Sequence, residues 1–249
     1  MISKMTTVLR PALLIVEKNL RVYAGKPPVL IFGLLFPLFL FLAFFLGRQV
    51  NFTELFPGLF AMTLFFLATS IGPLITPWEK TARTYERLLT LPLTERAVIV
   101  GDILTGLIFG TLLSGLVLAG GLAFLDFQVR ILPLAAGILT GGLCFASLGV
   151  LLSSPPVPNA SYIMIMASLI RFPLVFISGV FVPLDELGAS ARALSLVSPI
   201  TYLVDLMGFS LRGRCSLHPL LDFAVLALFG LLFCLGAHGL QRRNMTRGL

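Results

Sequence analysis

Apolar residues run through this chain in long blocks, broken by short polar stretches. Six blocks predict helical spans over Val29–Gly47, Leu55–Thr76, Ala97–Phe124, Ile131–Leu152, Tyr162–Val182 and Leu220–Leu240. Each is near the roughly 20 residues a helix needs to cross a bilayer. Pro37, Pro73 and Pro173 fall inside spans, where neighbouring helices can satisfy the backbone groups that a proline releases. The first block is longer than the apolar core of an export signal, and no small-residue cleavage site follows it. It is expected to be a retained span.

Ahead of that block, Leu9, Ala12, Leu13, Val16, Leu20 and Tyr23 share one helical face, and Arg10, Glu17, Lys18 and Arg21 share the other. The pattern predicts an amphipathic helix lying in the membrane interface over residues 1–28, with arginine and lysine toward headgroups. Pro27 and Pro28 end it and turn the chain into the bilayer.

Between the second and third blocks charge is suddenly dense, in "WEKTARTYERLLTLPLTERAVIVGD" from Trp78 to Asp102. Glu79, Lys80, Arg83, Glu86, Arg87 and Thr90 gather on one helical face; Trp78, Ala82, Tyr85, Leu88 and Leu89 gather on the other. A short amphipathic helix parallel to the membrane is expected there. Glu79 and Arg83 are an i,i+4 pair in the favourable order, worth about 0.2–0.5 kcal/mol. Leu91-Pro92 stops the helix, and Thr94 can cap the next. The plain alternative is a solvated loop that orients the chain. Orientation needs only lysine and arginine, however, and alternating glutamates suit a specific protein surface.

Composition sets the setting for these elements. The chain has 249 residues, 57% hydrophobic and 12% charged, against about 25% charged in soluble domains. It is expected to be an integral membrane protein forming a single transmembrane domain over 1–249. The net charge of +7 is then read through loop placement and not as a nucleic-acid footprint. Lys4 to Lys26, Lys80 to Arg96 and Arg242 to Arg247 fall on one side of an even number of spans, which marks that side, with both termini, as cytoplasmic. The uncharged turn Ser153–Asn159 falls on the same side.

Gly106/Gly110 and Gly137/Gly141 are small-xxx-small pairs that allow close helix contact. Cys144, Cys215 and Cys234, with His218 and His238, show no ligand spacing, so neither a disulfide nor a metal site is expected. Residues 183–217 are too polar to span. Leu187, Ala191 and Leu194 suggest one short external helix and Ile200 to Met207 a second, the pair dipping into the outer leaflet or forming an ordinary folded loop. Asp102 and Asp222 lie near span ends, where favourable helix N-terminal charge explains them more simply than a proton relay. No Ser/His/Asp, Cys/His or paired-carboxylate arrangement points to an enzyme.

Arg171 falls mid-span beside Phe172-Pro173. A charge at the bilayer centre costs about 2.5–3.5 kcal/mol on insertion scales, so it should face protein or water. Arg171 and Phe172 are candidates for a substrate path. The open alternative pairs Arg171 with a carboxylate, or with carbonyls freed by Pro173.

The charged stretch resembles the segment between second and third spans in the type 2 family of ATP-binding cassette (ABC) transporter permeases. Glu79, Thr84, Glu86, Leu88-Leu89, Pro92-Leu93 and Gly101 match its pattern; Arg83 replaces a usual glycine, and Asp102 a usual lysine. "SGVFVPLDEL" (Ser178–Leu187) and "LSLVSPITYLVDLM" (Leu194–Met207) are similar to the end of the family's fifth span, its external segment and its Ser/Asn-Pro-x-x-Tyr stretch. The resemblance covers essentially the whole chain. It implies an all-α integral membrane fold of six transmembrane helices, an N-terminal interfacial amphipathic helix, a cytoplasmic coupling helix within residues 78–96 and short external helices.

It further implies a permease subunit that forms a homodimer or heterodimer with a related permease and receives a separate ATP-binding cassette ATPase from the cytoplasm. Glu79, Arg83, Tyr85, Glu86, Arg87 and Leu89 would meet that ATPase. No G-x-x-x-x-G-K-[ST] phosphate cradle occurs in the chain, so it would bind no cofactor itself; ATP and Mg would act through the partner. The expected function is export of a hydrophobic or amphiphilic molecule (drug, lipid or glycolipid) across the cytoplasmic membrane. The alternatives are an ATPase-independent channel or secondary transporter, and a membrane scaffold.

Overall fold

The computed structural model describes residues 2–23, 27–46, 51–81, 95–155 and 160–246. They are helical almost throughout, in the order α1 (Ile2–Tyr23), α2 (Pro27–Leu30), a π turn (Ile31–Leu35), α3 (Phe36–Phe45), α4 (Phe52–Thr81), α5 (Glu95–Phe124), α6 (Ile131–Ser153), α7 (Ala160–Ile177), α8 (Ala189–Ser195), α9 (Pro199–Arg212) and α10 (Pro219–Thr246). A 3-10 turn, Leu184–Glu186, lies between α7 and α8.

At the centre stands α4. From Leu55 to Ile75 it is buried throughout, because α5, α6, α7 and α9 all pack around it. In contrast, α5 and α10 leave most of their apolar length outward, with Leu112, Leu116, Leu228, Leu231 and Leu235 exposed. Those leucines would cost about 1.5–3 kcal/mol each to keep in water, and a lipid solvent removes that cost. Hydroxyls inside the bundle satisfy themselves on the preceding turn: Thr63, Thr69 and Thr105 donate to the carbonyls of Leu59, Phe65 and Gly101 at 2.7–2.8 Å. Such back-bonding is how polar side chains tolerate an apolar helix.

Glycines set the closest helix crossings. A Cβ on Gly106 would lie 2.9 Å from the Ala146 Cβ and from the Ala68 carbonyl oxygen, and one on Gly141 2.9 Å from Leu203. The small-residue pairs read from the sequence are therefore contact points. The tightest crossing involves a pair the spacing did not single out: a Cβ on Gly72 of α4 would sit 2.6 Å from the Gly149 carbonyl carbon of α6.

Among the described residues, four helices are long and apolar enough to cross a membrane (Phe52–Ile75, Arg96–Phe124, Ile131–Ser153 and Pro219–Arg243), or five if the bent pair α8–α9 is one span. The fifth expected span is shorter than the sequence suggested: its apolar helix covers Ser161–Ile177, and Val180 and Val182 lie beyond it. The first is helical from Pro27 to Phe45, as expected, but is interrupted by the π turn at Ile31–Leu35. Pro37 explains the interruption in the first. It offers no N–H to Gly33, and the helix widens by one residue, with the Phe36 N–H reaching the Ile31 carbonyl. A π turn of this kind absorbs the misfit without a break.

The N-terminal helix is amphipathic, as expected, but three-sided. Ala12, Ile15, Val16 and Asn19 are buried against α5. Leu9 and Leu13 form an exposed apolar strip beside them, and Glu17 pairs with Arg21 on the polar side at 2.6 Å. The first expectation had merged the protein-facing and outward apolar strips into one face.

Both short helices expected within 183–217 are present, and they meet at 100°. The second, α9, reaches Arg212, and its Leu203, Leu206, Met207 and Leu211 are fully buried between α4, α6 and α10. It dips into the bundle and is not a surface loop.

Candidate coupling and translocation site

The charged segment joins the two longest helices. α4 runs without interruption to Thr81, so Trp78–Thr81 continues the central helix and does not open a separate one. Glu79 lies in that last turn. Arg83, Tyr85, Glu86, Arg87 and Leu89, with the Leu91-Pro92 stop and the Thr94 cap, fall in 82–94, outside the described residues. The chain re-enters the structure at Glu95 as α5, which packs along α4. Residues 82–94 are thus the covalent link between the central helix and α5.

α1 is locked to the same place. Gly101 in the second turn of α5 leaves room for Ile15: a Cβ there would lie 2.8 Å from the Ile15 Cβ. One turn away, the buried Asn19 donates from Nδ2 to Asp102 Oδ1 at 2.9 Å and to Thr105 Oγ1 at 3.3 Å. This corrects the reading of Asp102 as an N-terminal helix charge, because α5 starts at Glu95 and places Asp102 two turns inside. Its role is to receive Asn19. Asp222 does lie in the first turn of α10; it is fully buried with the Asp205 carboxyl as neighbour.

Arg171 is buried in mid-helix on α7, turned toward α4. Its Nη2 donates to the Thr69 carbonyl at 2.5 Å, and Nη1 lies 3.4 Å from Ser70 Oγ. Thr69 is four residues before Pro73, which has no N–H to give it. The guanidinium thus fills a donor position that the proline of a different helix leaves vacant. Of the two sequence readings, the geometry matches carbonyl pairing, with Pro73 of α4 in the place expected of Pro173. Phe172 beside it packs on Phe36 at 5.4 Å and Phe66 at 6.1 Å between ring centroids. The ring cluster closes this side of the bundle where the π turn delivers Phe36.

The stretch "SPITY" explains the α8–α9 bend. Ser198 Oγ donates to the Leu174 carbonyl of α7 at 2.8 Å, Thr201 Oγ1 to Ser195 at 2.6 Å, and Tyr202 OH to Leu196 at 2.8 Å. Pro199 takes the first helical position of α9, where its missing N–H is harmless. At the other end, Gly213 ends the helix at φ 72°, a value only glycine takes without strain. Asp205 then holds the return loop with both oxygens, accepting the Ser216 and Leu217 N–H groups at 2.8 Å each. In that loop the exposed Cys215 thiol is pushed up, first by partial burial and then by Asp205.

Among the described residues no group of three His, Cys, Asp or Glu side chains could hold a metal ion, and the three cysteines are free.

Residues 12–210 match the family model of the ABC-2 type transporter. Over 166 residues the chain is 25% identical to Nodulation protein J of Rhizobium leguminosarum bv. viciae, covering 66% of this chain and 64% of the relative. It is 29% identical over 170 residues to the inner membrane transport permease YadH of Escherichia coli (strain K12), covering 68% and 66%. The chain thus spans slightly under two thirds of the length of these relatives. With its several apolar helices and this match across most of its length, the protein is a multi-pass membrane protein of the ABC-2 type transporter family.

Proposed function

We propose that the chain is the membrane-spanning permease subunit of an ATP-driven exporter, acting in the cytoplasmic membrane on a hydrophobic or amphiphilic substrate. Six spans are then formed by α2–α3 with its π turn, α4, α5, α6, α7 and α10, with α8–α9 entering from outside and both termini in the cytoplasm. ATP and Mg are bound by a separate ATPase subunit, and two permeases pair, as copies or as relatives. Glu79, Arg83, Tyr85, Glu86, Arg87 and Leu89 receive the ATPase.

One observation carries the reading. Trp78–Thr81, where the mixed-charge segment begins, is the last turn of α4, the helix buried from Leu55 to Ile75, and α5 begins at Glu95, where the segment ends. A partner that moves it can rearrange the interior, where a solvated loop would dissipate the motion. The similarity to YadH, an inner membrane transport permease, supports the same placement.

The test is gentle-detergent purification of the tagged chain from its native cells, in parallel with a Glu86→Arg, Arg87→Glu double variant. The reading expects an ATPase in stoichiometric yield with the native chain and a weakened complex with the charge swap. If no nucleotide-binding protein accompanies the chain, even after cross-linking, an ATPase-independent channel or secondary transporter replaces it.

A further inference from the structure

A cavity of about 180 Å³ opens where the start of α4, the end of α7, the 3-10 turn and the end of α9 converge. Glu54 is 27 residues before Thr81 on α4, so the cavity lies about 40 Å along the helix from the charged segment at 1.5 Å per residue. Six charged side chains line it: Glu54, Asp185, Glu186, Asp205, Arg212 and Arg214. They come from three separate stretches of chain, yet among the described residues no ion pair joins them; the ion pair found among those residues, Arg21–Glu17, lies on α1. Arg212 has Glu54, Asp205, Asp185 and Arg214 as electrostatic neighbours, and its Nε is buried without a hydrogen-bond partner.

Asp205 is already engaged by two loop N–H groups, so the hydrogen-bonding capacity left to a guest is that of the buried Arg212 Nε and of the exposed Glu54, Asp185, Glu186 and Arg214. A buried N–H without a partner costs about 1–3 kcal/mol, which a bound acceptor recovers. The volume is below the roughly 300–1,000 Å³ of pockets that enclose drug-sized ligands. Carboxylates outnumber guanidiniums four to two, so the guest carries an ammonium as well as an anionic group. The floor is rigid. Gly58 of α4 lies against the Val180 backbone so closely that a Cβ would collide with the carbonyl, and Asp205 is fixed by its two loop N–H groups.

We propose that this cavity binds a small dipolar group of phosphoethanolamine type. Glu54, Asp185 and Glu186 take its ammonium, and Arg212 and Arg214 take its phosphate. The guest is either the headgroup of a membrane lipid or a free solute with the same chemistry. The site stands apart from the segment assigned to the ATPase and needs no ATP, so its failure would leave the proposed function untouched.

The experiment is calorimetric titration of the full chain, in nanodiscs of phosphatidylglycerol, with glycerophosphoethanolamine. Saturable binding is expected, and glycerophosphocholine, whose quaternary nitrogen has no N–H, should bind about tenfold more weakly. Asp185→Asn, an exposed change, and Arg212→Gln should each weaken binding about fivefold without moving the unliganded thermal midpoint. Glu17→Gln on α1 should leave binding as it is. Repeating the titration in discs containing phosphatidylethanolamine separates the two sources: a weaker apparent affinity identifies the lipid headgroup, and an equal one the free solute. No saturable binding at millimolar probe, or binding indifferent to both cavity variants, overturns the proposal.

Discussion

Arg171 on α7 donates to the carbonyl of Thr69 on α4, the acceptor that Pro73 leaves without a helical donor. A charge in the middle of an apolar helix is thereby used as a backbone group, replacing an N–H that the sequence lacks. The two residues should be energetically coupled through that carbonyl. Arg171→Met orphans it, while Pro73→Ala supplies the missing helical N–H. In an unfolding titration, Arg171→Met should destabilise the native chain by about 1 kcal/mol more than it does the Pro73→Ala chain. Equal losses in the two backgrounds would show that the guanidinium does not serve Thr69.

The α4–α6 crossing should be intolerant where it is made of backbone. In Gly72→Ala the new methyl meets the Gly149 carbonyl, and no side chain can rotate aside. Loss of about 1–3 kcal/mol is expected. Gly115→Ala on α5 meets nothing within 4 Å and should be neutral or gain up to about 1 kcal/mol from helix propensity. Thermal midpoints in detergent decide between them. A Gly72→Ala chain as stable as the Gly115→Ala chain would mean that the helices are not this close.

Attachment of α1 to α5 makes a different kind of prediction. Asn19→Ala removes the buried Nδ2 hydrogen bonds to Asp102 and Thr105, at a cost of about 0.5–1.5 kcal/mol. The loss should be local. Limited proteolysis should cut within α1 sooner than in the native chain while cleavage elsewhere keeps its rate. Uniform acceleration at all sites would assign Asn19 a global role.

Cys215 offers a reporter for the side on which α8 and α9 enter. Its thiol is exposed and raised by partial burial and by Asp205, so less thiolate is present at neutral pH than in a free cysteine of pKa about 8.5. Membrane-impermeant maleimide added outside intact cells should label it slowly at neutral pH. The rate should keep rising with pH beyond the range where an ordinary thiol levels off. Labelling only after the membrane is opened would invert the proposed orientation.

Much of this was legible in the chain, because the forces involved are local. Apolar blocks give helices wherever water is replaced by lipid, and the Gly106/Gly110 and Gly137/Gly141 spacings marked real contacts. The 183–217 segment showed its two helices through Leu187 to Leu194 and Ile200 to Met207. What escaped was pairing between distant elements. Nothing near Arg171 in sequence says that its partner is a carbonyl 102 residues away, or that a proline on α4 created the need. Asn19 reads as an ordinary polar residue of an amphipathic helix until α5 brings Asp102 over it. The cavity charges come from three stretches of chain, and their meeting is set by the inward dip of α9, which no periodicity encodes. Pro37 was visible, but its effect, the π turn at Ile31–Leu35, was not.

That π turn works as a phase offset. It places one surplus residue between Ile31 and Leu35, and each residue of an α-helix turns the chain about 100°. Everything from Phe36 onward is therefore rotated relative to the azimuth an uninterrupted helix would give it, and the rotation aims Phe36 at Phe66 and Phe172. Deleting one residue from 31–35 would restore a regular helix and swing the Phe36 ring out of that cluster, whereas most substitutions there would leave it in place. The insertion, not the identity of the residues that form it, determines which way the second half of this helix faces.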